Sequence, residues 1–143
     1  MAAEFQLIKD PNPTVFETVK ILSQAYTRGD AVMLDRTLDA VDVVPATSST
    51  TTANIYGVAA ETVTSSATSL LIIRITPGQT WTGDASNSVL ATHNMFRFAL
   101  TDCTALNNTT DSASGIFQQT GIKPNGVSTR VTGRFIVGYE SAA

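Results

Sequence analysis

Apolar side chains recur at every second position in this chain, in short runs separated by Gly, Pro, Asn, Asp and Ser. A strand turns successive side chains to opposite faces, whereas a helix needs apolar residues three and four apart, so these runs read as β-strands. Residues 14–22 show the pattern. Val15, Glu17, Val19 and Ile21 share one face, and Phe16, Thr18, Lys20 and Leu22 the other. Further strands are expected over residues 31–34, 41–44, 55–63, 95–100 and 127–139, with residues 116–122 a short strand or a turn. Residues 70–75, Leu-Leu-Ile-Ile-Arg-Ile, are apolar on both faces and should be central. One helical turn fits within residues 87–93.

The punctuation supports the same reading. Tyr26-Thr27-Arg28-Gly29-Asp30, Thr76-Pro77-Gly78-Gln79 and Lys123-Pro124-Asn125-Gly126 carry turn chemistry. Pro45 ends a strand or confines it to an edge, and Gly57 marks a bulge or a close approach of backbones. The chain has 22 Thr and 12 Ser in 143 residues, and only 15% of its residues are charged, against about 25% in an ordinary globular protein. Thr favours strands, and the Lys, Glu and Leu that build surface helices are scarce. The expected fold is all-β: one compact β-sandwich or small β-barrel of about seven to nine short strands over residues 14–143. Residues 46–54 and 101–114 read as polar surface loops.

Residues 1–13 are expected to form an extended N-terminal arm. Phe5, Leu7 and Ile8 are apolar but continue into no regular period, while Pro11 and Pro13 push Asp10 and Asn12 towards extended backbone. Such an arm lies across a neighbour, or else forms an edge strand of its own domain or a frayed tail. The candidate contact residues are Phe5, Leu7, Ile8, Pro11, Pro13 and Val15.

Charge and composition exclude several functions. A net charge of −3 disfavours nucleic-acid binding, which draws on a basic face. No apolar run approaches the roughly 20 residues that span a bilayer, and the first residues lack the basic-then-apolar order of a secretory leader. Cys103 is the single cysteine, so no internal disulfide forms, and synthesis in a reducing cytoplasm is expected.

Catalytic and metal chemistry find little footing. His93 is the only histidine, and a nucleophilic triad would have to join it to Asp84 or Asp102. Ser86 and Ser88 do not sit in a Gly-x-Ser-x-Gly elbow. One His and one Cys are too few for a His/Cys metal site. Asp30, Asp35, Asp39 and Asp42 lie close in sequence but off the calcium-loop spacing, and read as solvated turn carboxylates. Asn107 and Asn108 begin formal glycosylation sequons and read as surface loop residues. Trp81, Tyr56 and Tyr139 could stack on a sugar beside the 101–114 loop, or serve the core. No enzyme activity, cofactor or metal is expected.

One stretch carries a resemblance. Tyr26-Thr27-Arg28-Gly29-Asp30-Ala31-Val32-Met33-Leu34, then Val44-Pro45-Ala46-Thr47, a Ser/Thr run and Ile55-Tyr56-Gly57-Val58-Ala59-Ala60-Glu61-Thr62-Val63, is similar to the small head-decoration, or cement, proteins of tailed bacteriophages. The resemblance covers residues 26–63 and weakens through residue 75. It implies a structural protein on the outer surface of the virion, made in the host cytoplasm, that stabilises an assembled capsid by bridging neighbouring major capsid protein subunits. It also implies a homo-oligomer, a trimer ahead of a dimer. The alternative is a carbohydrate- or receptor-binding β module of a phage fibre or tail, recognising its ligand through Trp81, Tyr56 and the 101–114 loop.

Overall fold

The fold comes from a computed structural model that describes residues 5–35, 37, 41–120 and 129–138. Residues 1–4, Asp39, the 123–126 turn and Tyr139 lie outside the described residues. In chain order the strands are β1 (Gln6–Lys9), β2 (Phe16–Lys20), β3 (Ala31–Leu34), β4 (Val43–Pro45), β5 (Ile55–Ala59), β6 (Ser69–Arg74), β7 (Thr80–Ala85), β8 (Arg97–Asp102), β9 (Ala105–Asn107), β10 (Phe117–Gln119) and β11 (Arg130–Phe135). Among the described residues a single 3-10 turn, Ala91–His93, interrupts them. The all-β expectation therefore holds, with eleven described strands in place of seven to nine.

Six strands form one sheet in the order β1-β7-β11-β10-β8-β9, and β9 also pairs in parallel with β7. That last pairing closes five of them into a barrel. β1 lies opposite Thr80–Thr82 on the same edge of β7 that meets β9 at Asp84 and Ala85. The other five strands form a second sheet, β2-β6-β5-β3-β4, antiparallel throughout. The apolar β6 runs inside this sheet between β2 and β5, and the Pro45 strand takes an edge, both as expected.

Alternation fills the barrel. Trp81, Gly83 and Ala85 of β7, Val131, Gly133 and Phe135 of β11, Phe98 and Leu100 of β8, Leu106 of β9 and Phe117 of β10 are all buried. Phe135 is the hub: its ring lies 5.0 Å from Phe117, 5.5 Å from Trp81 and 5.2 Å from Phe5. Two glycines make room. A Cβ on Gly83 would fall on the Phe5 ring, and one on Gly133 would meet the Gln118 carbonyl.

The five-stranded sheet has two apolar faces. Ala31, Val58 and Ile73 pack on the barrel side. Val19, Ile21, Val32, Val43, Ala59, Leu70 and Ile72 form a separate aliphatic core with Tyr26. Gly57 is a close-approach point, as read from the sequence, since a Cβ there would lie 2.8 Å from both Ile72 Cδ1 and the Ile73 carbonyl oxygen.

Two expectations are resolved by the structure, and one strand appears that had none. Of the alternatives for residues 1–13, the described part takes the edge strand of its own domain: residues 6–9 are strand β1, and Phe5 is part of the barrel core. The reason is the hollow over Gly83, which a Phe ring fills, and burying such a ring stabilises by about 1.5–3 kcal/mol. Strand β7 had no forecast because two of its three inward residues, Gly83 and Ala85, are too small to register as apolar alternation. Residues 101–114 are not one long loop. Asp102 takes the Thr104 N–H at 2.7 Å and closes a tight hairpin into β9, after which Asn108 is buried.

A candidate docking surface between the two sheet edges

Strands β1 and β2 are each the edge of their sheet, and they stand side by side at one mouth of the molecule. The loop between them is pinned from below. Buried Gln79 donates from Nε2 to Asp10 Oδ2 at 2.9 Å, while its Oε1 accepts from Trp81 Nε1 at 3.1 Å and the Thr76 N–H at 2.8 Å. Asp10 also accepts from the Asn12 N–H and the Thr14 hydroxyl. The Gln79 amide, together with these donors, holds the Asp10 carboxyl below its ordinary pKa. Gly78, at φ +87°, lets the turn beneath pass under the Pro11 ring.

Anchored in this way, the loop and the strand ends it joins present apolar side chains to solvent. Ile8 is 59% exposed, Val15 45% and Phe16 58%. Behind them runs a groove of about 340 Å³ whose walls include Phe5, Leu7, Val58 and Ile73, with Arg28 as its one charged lining residue. Arg74 donates its N–H to the Val15 carbonyl, and Ile21 donates to Thr68, so the odd-numbered residues of β2 face β6. Phe16 and Thr18 therefore turn their backbone N–H and C=O groups to the outer edge, where no strand pairs with them among the described residues. Exposed apolar side chains beside open strand edges are the physical make-up of a docking surface.

The candidate contact residues divide. Ile8 is exposed at this mouth, Pro11, Pro13 and Val15 are exposed in the loop that follows β1, Leu7 is half-buried, and Phe5 is withdrawn into the barrel. Phe16 was not among the candidates. Its strand face also carries Leu22 beside Thr18 and Lys20, so the residues alone do not mark it as exposed.

Other candidates are accounted for elsewhere. Trp81 is fully buried with its indole N–H satisfied, so it offers no stacking platform to a sugar. Tyr56 is half-buried, donates to Glu17 Oε1 at 2.7 Å and lies under the Arg74 guanidinium. Burial, reinforced by the hydrogen bond to Glu17, raises its pKa. His93 stacks on Phe96 at 4.8 Å, and no serine or carboxylate is hydrogen bonded to it among the described residues. Asp84 instead accepts from the Thr129 hydroxyl, and Asp102 from Thr104.

Two readings of surface residues are also corrected. Asn108 is buried, its side chain holding the Asn87 N–H and carbonyl. Asp30 is no solvated turn carboxylate but a buried one. No three His, Cys, Asp or Glu side chains gather as metal ligands among the described residues, and no described helix is long and apolar enough to cross a membrane. No protein-family model, curated protein or solved structure matches this chain.

Proposed function

We propose that this chain is a structural protein that binds the outer surface of an assembled phage capsid and stabilises it by bridging neighbouring major capsid protein subunits. The observation that carries the reading is the apolar mouth formed by Ile8 and Phe16 beside the open edge of β2. Its loop is fixed in place by Gln79, so little ordering entropy is lost when a partner covers it. The residues that resemble head-decoration proteins run through β3, β4 and β5, the half of the molecule that supports this mouth. Repeated over a lattice, modest individual contacts add up to tight occupancy. A trimeric or dimeric state belongs to the same proposal and is read directly from the mass in solution.

The test is co-sedimentation with expanded, DNA-free capsids built from the major capsid protein of the same phage. The chain should saturate at a fixed ratio to capsid subunits. The double variant Ile8→Asp/Phe16→Asp should bind about 100-fold more weakly, the loss expected from two contacts of about 1.4 kcal/mol each. Its circular dichroism should be unchanged, because both side chains are exposed. Failure of the unaltered chain to bind saturably overturns the reading. Deleting residues 1–13 would be a poor test, since it removes Phe5 from the barrel core.

A further inference from the structure

Asp30 ends the turn that leads into β3, and its side chain is 8% exposed. Oδ2 accepts the Thr27 N–H at 2.9 Å, but Oδ1 is buried with no hydrogen-bond partner. Tyr26, at the other end of the turn, is 2% exposed and its hydroxyl is also unpartnered. Three backbone hydrogen bonds converge on the same few residues. Phe5 donates to the Gly29 carbonyl at 2.9 Å, Ala59 to that of Asp30 at 2.8 Å, and Ala31 to that of Cys103 at 2.8 Å. Asp102, next to Cys103, forms a bridge to Thr47. The turn is thus the joint at which β1, the five-stranded sheet and the barrel's 102–105 hairpin meet.

The ionisable groups facing this joint are acidic. Asp102 and Cys103 face it from the hairpin and Tyr26 from the turn itself. Arg28 is exposed, and Glu61, beyond β5, is exposed and accepts the Leu71 N–H. A carboxylate with one oxygen buried and unmet, among acidic neighbours, is stabilised by taking up a proton.

We propose that Asp30 is a proton-controlled latch between the barrel and the five-stranded sheet. In its neutral form the 26–30 turn closes against the hairpin. Once ionised it is repelled by Asp102, and turn and hairpin loosen together, freeing Ala31 from Cys103 and Phe5 from Gly29. Burial is the main cause that raises the Asp30 pKa, with Asp102 adding to it. The sign follows from linkage. A carboxyl whose native pKa is raised lends full stability below its unfolded value of about 3.8, and loses it as pH rises through the native value.

The test uses the full chain and its Asp30→Asn variant, which keeps an acceptor for Thr27 and cannot ionise. Thermal unfolding is followed from about pH 4 to 8. Relative to the variant, the unaltered chain should lose about 5 °C in Tm for each unit by which its native pKa is raised. Amide exchange at Ala31 and Phe5 should be faster in the unaltered chain at neutral pH, by about tenfold per unit. A variant less stable by the same amount at every pH overturns the proposal. If the variant does not fold, Asp102→Asn should lower the Asp30 carboxyl titration followed by carbon NMR. An ordinary aspartate pKa for Asp30 in that measurement also overturns it.

Discussion

The barrel and the five-stranded sheet meet the same difficulty, unpaired strand edges, with different means. In the barrel β9 returns to β7, and one short parallel pairing removes the open edge along most of the ring. In the sheet a single residue takes that part. Asp42 accepts the Lys20 N–H at 2.8 Å through Oδ2 and donates its own N–H to the Lys20 carbonyl at 2.9 Å, tying the end of β2 to the β4 side. The interiors differ to match. The barrel holds five rings, Phe5, Trp81, Phe98, Phe117 and Phe135, around two glycines, whereas the sheet's own core is aliphatic apart from Tyr26. Full closure sets a fixed volume that a few large rings can fill. Partial closure suits branched side chains that follow a bend, and it leaves Phe16 and Thr18 of β2 open beside β1. The molecule's exposed apolar mouth is thus the place where closure stops.

The largest expected effect lies in the barrel. Trp81→Ala should cost about 3–5 kcal/mol, because it empties the space against Phe135 and deprives Gln79 Oε1 of a donor. Ile72→Val, in the sheet's core, should cost about 0.5–1.5 kcal/mol. Urea unfolding of both variants, followed by tryptophan-independent circular dichroism, measures the difference. Equal losses would break the distinction between a ring-filled barrel and an adaptable sheet.

A smaller effect is expected where the sheet is tied. Asp42→Ala removes the acceptor for the Lys20 N–H but keeps the backbone bond, and at this exposed site the loss should be about 1 kcal/mol. Its clearer signature is local. Lys20 amide exchange should quicken, and mass in solution should rise with concentration as more of the β2 edge opens. Asp42→Asn should restore both, having the same oxygen in place. Unchanged Lys20 exchange in Asp42→Ala would show that Asp42 does not hold the edge.

Much of the sheet was legible from the residues, and much of the barrel was not. Strand β2 alternates its side chains in character, and β3 and β6 are short continuous apolar runs bounded by turn residues, so the pattern located them. β7 escaped because its inward positions include Gly83 and Ala85, whose value lies in what they make room for, and β9 because its three residues turn only one large apolar side chain, Leu106, inward. Phe5 could not be placed for the same reason: its partner is a hollow at Gly83, far away in sequence. Of the candidate surface, Ile8 was found by apolarity without a period, and Phe16 was hidden inside the period-two run of residues 14–22. The buried state of Asp30 has no local sign either, since its neighbour Asp102 arrives from a strand that only the closed barrel brings near.

The smallest effect concerns Asp10, in the loop that joins the two regions, and its sign is opposite to that of Asp30. Gln79 and the neighbouring donors lower the Asp10 pKa, so its contribution is present above the unfolded value of about 3.8 and is lost as pH falls through the native one. Asp10→Asn should therefore destabilise by no more than about 0.5 kcal/mol near neutrality, given how open the carboxyl is to solvent. In acid, below the lowered pKa, variant and unaltered chain should converge. Asp30→Asn differs most from the unaltered chain at high pH and Asp10→Asn in the same range with the reverse sign, so a double variant should show the two effects partly cancelling. The sites are anchored by different partners, Gln79 for one and Thr27 for the other, and their effects should add. A double variant departing from additivity by more than about 0.5 kcal/mol would mean that loop and joint move as one unit, and that barrel and sheet are less separate than their cores suggest.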